Sequence, residues 1–230
     1  MTNYYTLILL LLMPICNSEA STTILDVDFE SPHISGNSPS TGTEKNLVSE
    51  IEPIGSAIVE ASLSELGNAL SLRDGAGVIF NINKQFSSYT ISFDLTFENF
   101  ETSSSSLEFF IDTPLIRSMS VESFNTRFHI PLGSGGGSRY AVIDDLIQYS
   151  FLHEIDTQSN IWKTSINGTL LHISSIDSHN VEGIRFYSSP DSPSVVMQLD
   201  NLVFTGTTVP EPSCVTLSLL SLASFFRRCR

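Results

Sequence analysis

Tyr89-Thr90-Ile91-Ser92-Phe93-Asp94-Leu95-Thr96-Phe97 alternates without a break between apolar and polar residues. Successive side chains of a strand point to opposite faces, so Tyr89, Ile91, Phe93, Leu95 and Phe97 share one face and Thr90, Ser92, Asp94 and Thr96 the other. One dry and one wet face is the pattern of an antiparallel strand over a core. Working outward, short runs rich in Val, Ile, Phe, Tyr and Thr recur between Ser, Gly, Asn and Pro clusters: Ile24–Phe29, Ala69–Leu72, Val78–Ile82, Leu107–Ile111, Thr126–Ile130, Ile147–Ile155, Trp162–Ile166, Thr169–Ile173, Gly183–Tyr187 and Val195–Phe204. Asn167-Gly168 joins two of these runs and predicts a type I′ hairpin. Ser62–Leu66 is the one stretch that reads as a helical turn, and Gly133–Ser138 reads as a flexible turn before Tyr140. About eleven strands in one domain predict an all-β protein: an antiparallel two-sheet sandwich or jelly roll.

Both ends of the 230-residue chain read as processing segments, which divides it into 1–20, 21–209 and 210–230. The apolar run from Leu7 to Cys16 is shorter than the ~20 residues of a spanning helix. Ser18 and Ala20 then stand at the −3 and −1 positions of a signal-peptide cleavage site, which predicts cutting after Ala20. No Lys or Arg precedes Lys45, so the terminal amine is the only charge ahead of the run. Cys16 raises a lipoprotein alternative, against which the bulky Ile15 precedes the cysteine.

Between the ends lie 23 of the 25 acids and 8 of the 11 Lys and Arg, a net charge of about −15. That balance repels nucleic acid and anionic lipid, and no basic stripe with interleaved aromatics offsets it. It suits a soluble extracellular domain or one that attracts divalent cations. All three cysteines (Cys16, Cys214 and Cys229) lie in the ends. The domain therefore has no cysteine nucleophile, thiolate zinc site or iron–sulfur cluster.

The last residues are Val209-Pro210-Glu211-Pro212-Ser213, a 13-residue apolar run from Cys214 to Phe226, and Arg227-Arg228-Cys229-Arg230. The arginines Arg227, Arg228 and Arg230 would stop transfer on the cytoplasmic side. A buried C-terminal helix with a basic cap is the alternative, though the run offers only Thr and Ser for a polar face. Tripeptide, apolar run and terminal arginines, in that order, resemble the PEP-CTERM sorting tail. The resemblance implies a hydrophobic sorting helix, an exosortase-type membrane protease that recognises Pro210-Glu211-Pro212, transient insertion in the inner membrane of a Gram-negative bacterium, and a final place at the cell surface or outside it. The order of features in the middle resembles concanavalin-like and laminin-G-like sandwiches: an opening strand Leu25–Glu30, a hairpin Tyr149–Gly168, and a closing strand Gln198–Phe204. That resemblance implies first and last strands side by side.

Several sites are weighed on these residues. Glu154-Ile155-Asp156 resembles part of the catalytic strand of laminarinase-type glycoside hydrolases, which carry Glu, Asp and Glu at alternating positions. The third position here is Gln158, and an amide cannot donate the proton. Polar residues on a wet strand face explain the segment equally well, so no enzyme is expected; a secreted glycoside hydrolase is the alternative. His33, His129, His153, His172 and His179 show no H-E-x-x-H spacing and read as ordinary surface or strand positions, and no G-x-S-x-G elbow occurs. The glycine run Gly135–Gly137 lacks the Lys-Ser/Thr of a phosphate loop. The resemblance to such sandwiches also implies a structural Ca²⁺ between the first and last strands, for which Asp26, Asp28 and Glu30, on one face of the first strand, and Asp200 would be the oxygen donors; a solvated acidic face is the other reading. No further cofactor is expected. Glycan binding would need an aromatic platform, for which Trp162, Tyr140, Tyr149 and Tyr187 are available, although the register of Trp162 with Thr164 and Ile166 favours the core. The reading is an exported, non-enzymatic surface or matrix protein with extracellular polysaccharide as its candidate ligand. A purely structural module is not separated from it by sequence.

Overall fold

A computed structural model describes residues 21–30, 36–37, 50–64, 67–99, 104–111, 115–122, 127–132, 136–142, 144–175, 180–188 and 195–208, and for the strands between 104 and 142 it describes the backbone. Fourteen strands appear among these residues: β1 (Thr22–Val27), β2 (Glu50–Ile54), β3 (Ile58–Ala61), β4 (Asn68–Leu72), β5 (Gly77–Glu98), β6 (Ser104–Ile111), β7 (Leu115–Glu122), β8 (Arg127–Leu132), β9 (Gly136–Val142), β10 (Gln148–Asp156), β11 (Ile161–Ile166), β12 (Thr169–Ser175), β13 (Asn180–Ser188) and β14 (Val196–Thr208). Every pairing is antiparallel. The described residues contain no helix.

β5 organises the rest. Its 22 residues serve two sheets. The first half, Gly77–Gln85, pairs with β2 and β13 in a back sheet that continues through β6, β7, β8 and β9. The second half, Phe86–Glu98, pairs with β10 and β14 in a front sheet. That sheet extends through β11 and β12 on one side, and through β14 to β1 and to β4 with β3 on the other. Asn83 has φ +50°, in the left-handed region that asparagine tolerates, and sits at the register shift against β13, just before the strand changes sheets between Gln85 and Phe86. The two runs expected at Val78–Ile82 and Tyr89–Phe97 are thus one bent strand.

The alternation at Tyr89–Phe97 holds. Tyr89, Ile91, Phe93, Leu95 and Phe97 are buried; Thr90, Ser92 and Asp94 face outward and are half-buried. The sheets meet through aromatic rings. Phe93 of the front sheet stands edge-on to Phe186 of the back sheet at 5.0 Å, and Phe186 meets Phe80 at 6.3 Å. At one end of the core Phe86, Tyr89 and Phe204 pack within 5.2–5.7 Å of one another. A Cβ on Gly206 would meet the Phe86 ring at 2.5 Å, so only glycine lets that ring lie on β14. The hairpin between β11 and β12 turns at Asn167 (φ +49°) and Gly168 (φ +74°), the conformation a type I′ turn needs.

Two expectations are corrected. Gly136–Ser138 belong to β9 rather than to a flexible turn. Ser62–Ser64 form a non-helical connection, with Glu65 and Leu66 outside the described residues. His153 takes a strand position, on β10, and is fully buried.

Candidate functional site

The outer face of the front sheet carries a cleft of about 290 Å³. It crosses five neighbouring strands: Ser21 beside β1, Thr205 and Thr207 on β14, Ser88 and Thr90 on β5, Glu154 and Asp156 on β10, and Ile161 and Lys163 on β11. Register places these side chains in rows. Lys163, Glu154, Thr90, Thr205 and Thr23 lie across one line; Ile161, Asp156, Ser88 and Thr207 lie across the next. Each is the outward member of an alternating strand whose inward members fill the core. The lining is therefore Ser and Thr hydroxyls with two carboxylates and one ammonium, and Tyr89, Ile155 and Ile161 add apolar surface. Thr90 and Thr205 share a hydrogen bond between hydroxyls at 2.6 Å.

Glu154 and Asp156, two apart on β10 with buried Ile155 between them, both face this cleft. Gln158 lies past the end of β10, in the turn that caps it. Its backbone N–H and that of Ser159 donate to Asp156 Oδ1 at 2.9 and 3.2 Å, and the Ser159 hydroxyl donates to Oδ2 at 2.6 Å. The Ser159 hydroxyl and amide, with the Gln158 amide, hold the Asp156 carboxyl below its ordinary range. A carboxylate so fixed accepts hydrogen bonds; it does not supply a proton at neutral pH.

Farther along the same face lies an acidic group. The first and last strands pair, as the resemblance implied, but Asp26 is exposed opposite Val203. The carboxylates that raise the Asp200 pKa are Asp94, Glu30 and Asp28, and Asp94 was not foreseen. Asp94 stands directly across from Asp200 and accepts from Gln148 Nε2 at 2.8 Å and Asn201 Nδ2 at 2.9 Å. Glu30 accepts from the Asn68 amide at 2.6 Å. Burial above all, and then these neighbours, push Asp200 up to about 6, against the Asn201 amide that donates to it. Among the described residues no three His, Cys, Asp or Glu side chains converge closely enough to ligate a metal ion.

The sign of the Asp200 shift fixes a prediction. A carboxyl whose folded pKa lies above its unfolded one costs stability once ionised. The cost is full above about pH 6 and fades as pH falls toward 4. Because Asp200 is only half buried, the cost is on the order of 1 kcal/mol. Asp200→Asn is expected to raise the Tm at pH 7.5 by about 3 °C and not at pH 4. Thermal unfolding of wild type and variant at the two pH values reads both.

The aromatic platform does not form from the expected residues. Trp162 and Tyr149 are buried and Tyr187 is half-buried. Trp162 Nε1 instead donates to His153 Nδ1 at 3.1 Å, inside the core. The side chain of Tyr140 lies outside the described residues, as do Ala20, Pro210, Glu211, Pro212, Arg227, Arg228 and Arg230. Among the described residues no helix is long and apolar enough to cross a membrane.

No family model matches the chain, and no curated protein matches it in sequence. Solved structures do. Domain 4 of AbnA, a GH43 extracellular arabinanase from Geobacillus stearothermophilus, in complex with arabinotriose, is similar over 87% of this chain and 99% of its own, at 14% identity and TM-score 0.55. A Trypanosoma rangeli sialidase is similar over 82% of this chain (11% identity, TM-score 0.54), and the receptor binding domain of botulinum neurotoxin D over 86% (10% identity, TM-score 0.55). The chain spans 31% of the sialidase and 52% of the toxin domain, and 17% of a further sialidase. At these identities the likeness is one of fold: an antiparallel β-sandwich, shared with a domain of an arabinanase and with the receptor binding domain of a neurotoxin.

Proposed function

We propose that this domain is a non-catalytic carbohydrate-binding sandwich of jelly-roll, concanavalin-like form, carried to the cell surface by the signal peptide ending at Ala20 and the sorting tail at Pro210-Glu211-Pro212. The cleft carries the reading: a row of Thr and Ser hydroxyls with Glu154, Asp156 and Lys163 at one end suits the hydroxyl edges of a sugar chain. The arabinotriose complex of the similar sandwich, which the chain covers almost end to end, supports a short oligosaccharide as ligand. With Trp162 and Tyr149 buried, the proposed contact is carried by hydrogen bonds from the cleft's hydroxyls and charges.

Calorimetric titration with arabinotriose tests this. Losing a hydrogen bond to a charged group costs about 1.5–3 kcal/mol, so Glu154→Gln and Lys163→Ala are each expected to weaken binding at least ~10-fold. Both side chains are exposed, so circular dichroism should not change. Absence of binding to any neutral or acidic oligosaccharide, or variants that bind as wild type, would sink the reading; release of arabinose would replace it with the hydrolase. The export half is read by intact mass of protein taken from the cell surface and medium. Wild type is expected to begin at Ser21 and to have lost the tail, whereas Glu211→Ala with Pro212→Ala keeps Arg230.

A further inference from the structure

The charges of the cleft do not cancel. Glu154 stands directly across from Lys163 in the β10–β11 register, so the two offset each other. Asp156 stands across from Ile161 on one side and from Ser88 on the other, and Thr207 continues that row. Among the described residues that line the cleft, Lys163 is the only cation. One negative charge is therefore left over, and it sits at Asp156.

That carboxylate is fixed before any ligand arrives. Oδ1 accepts from the Gln158 and Ser159 amides, and Oδ2 accepts from the Ser159 hydroxyl. A carboxylate offers about four lone-pair sites, so the turn leaves about one, on Oδ2. All three donors are neutral, and none removes the charge. Capping the turn needs an acceptor, which an asparagine oxygen would also supply; the charge goes beyond that need. Around the cleft the domain carries about −15, a field that draws cations in and turns anions away.

We propose that the cleft selects an amino sugar: an oligosaccharide whose ammonium group is taken by Asp156 while its hydroxyls lie along Ser88, Thr90, Thr205 and Thr207. The inference rests on the carbohydrate reading and narrows it to a cationic chain. A uronic-acid chain meets the wrong sign. A basic peptide satisfies the charge but leaves the rows of hydroxyls without partners.

Calorimetric titration of the full chain at about pH 6, where sugar amines carry protons, compares a glucosamine trisaccharide with its N-acetylated counterpart, which keeps the backbone and loses the charge. Asp156 is ionised there, since its turn holds the carboxyl below the ordinary range. A charge-assisted hydrogen bond is about twice as strong as a neutral one, so the amino form is expected to bind at least ~10-fold tighter. Raising the salt to about 1 M should erase most of that margin. Asp156→Asn keeps an oxygen for the turn and removes the charge. Ile161→Lys instead sets a cation across from an intact Asp156, at a position that is already exposed. Each variant is expected to abolish the margin between the two sugars. Equal affinity of the wild type for both, or a margin that survives both variants, overturns the inference and leaves the carbohydrate reading standing. Trilysine bound as tightly as the amino sugar also overturns it, because charge alone then suffices. If neither trisaccharide nor arabinotriose binds, the carbohydrate reading falls and the inference falls with it.

Discussion

Lowering the pH from 7 to 4.5 is expected to cost the folded domain about 2–3 kcal/mol through His153 alone. The residue is fully buried, with its ring 5.7 Å from Phe93 and 5.7 Å from Trp162. Nδ1 takes the Trp162 Nε1 hydrogen bond at 3.1 Å and lies 3.0 Å from the Thr164 hydroxyl. An accepting Nδ1 is unprotonated, so the imidazole folds neutral with its proton on Nε2. Burial then depresses its pKa to about 3, while an unfolded histidine titrates near 6.5. The folded pKa is the lower one, so the contribution is intact above about pH 6.5. As pH falls below that, the unfolded chain takes up a proton that the folded chain refuses, and stability drops until about pH 3. Urea unfolding at the two pH values measures this. His153→Gln keeps an acceptor for Trp162 and removes the titration; its stability at pH 7 falls, but the loss between pH 7 and 4.5 should shrink by about 2–3 kcal/mol. An unchanged pH dependence in the variant would falsify the assignment.

Asp200 works in the opposite direction over the same range, gaining stability as it is protonated between about pH 6 and 4. The histidine wins because it is wholly enclosed, whereas water screens the half-buried carboxyl. Acid is therefore a net destabiliser, and the double variant should be nearly flat across this window apart from the remaining carboxylates.

The strands that were legible were those whose pattern is stronger than their surroundings. Tyr89–Phe97 shows its buried face by alternation, and Asn167-Gly168 shows its turn by chemistry. The missed strands lack such marks. β2 reads EIEPI, and Pro53 argues against a ladder position, although β2 pairs only with β5 among the described strands and has an open side for a residue without an N–H. β9 opens with two glycines and so read as a turn. Asn83-Lys84-Gln85 looks like a loop, yet it is where β5 crosses between sheets. In the cleft, Glu154 and Asp156 stood out as carboxylates two apart. Ser88, Thr90, Thr205 and Thr207 did not, because Ser and Thr in strands are ordinary and only the register of β14 on β5 lines them up. The acidic pair Asp94 and Asp200 lies more than 100 residues apart in sequence and is hidden for the same reason. His153 sits at an inward position of an alternating strand, but a polar residue there breaks the pattern instead of announcing a buried site.

Phe93→Ala is expected to cost about 4 kcal/mol, the largest effect of any single change considered. The ring stacks on Phe151 at 5.1 Å and 11°, meets Phe186 edge-on at 5.0 Å and 83°, and lies beside His153. Removing it forfeits the burial of a phenyl group and two favourable ring pairs, and leaves a cavity that strands pinned on both sides cannot close. Against a typical total of about 5–15 kcal/mol this takes a large share, and the Tm should fall by roughly 8–16 °C. Phe93→Leu, which keeps much of the volume, should cost much less. The pairing with Phe186 gives the measurement its meaning. Phe93 and Phe151 belong to the front sheet and Phe186 to the back sheet, so only a closed sandwich couples the first to the last. A double-mutant cycle of Phe93→Leu with Phe186→Leu, read by urea unfolding, should show a coupling of about 0.5–1.5 kcal/mol. A coupling of zero, with a cost for Phe93→Ala below about 1 kcal/mol, would mean that the sheets do not pack through this ring. The wet side of the same strand, where Thr90 faces the cleft, would then have lost the support that holds it in register with Thr205 and Glu154.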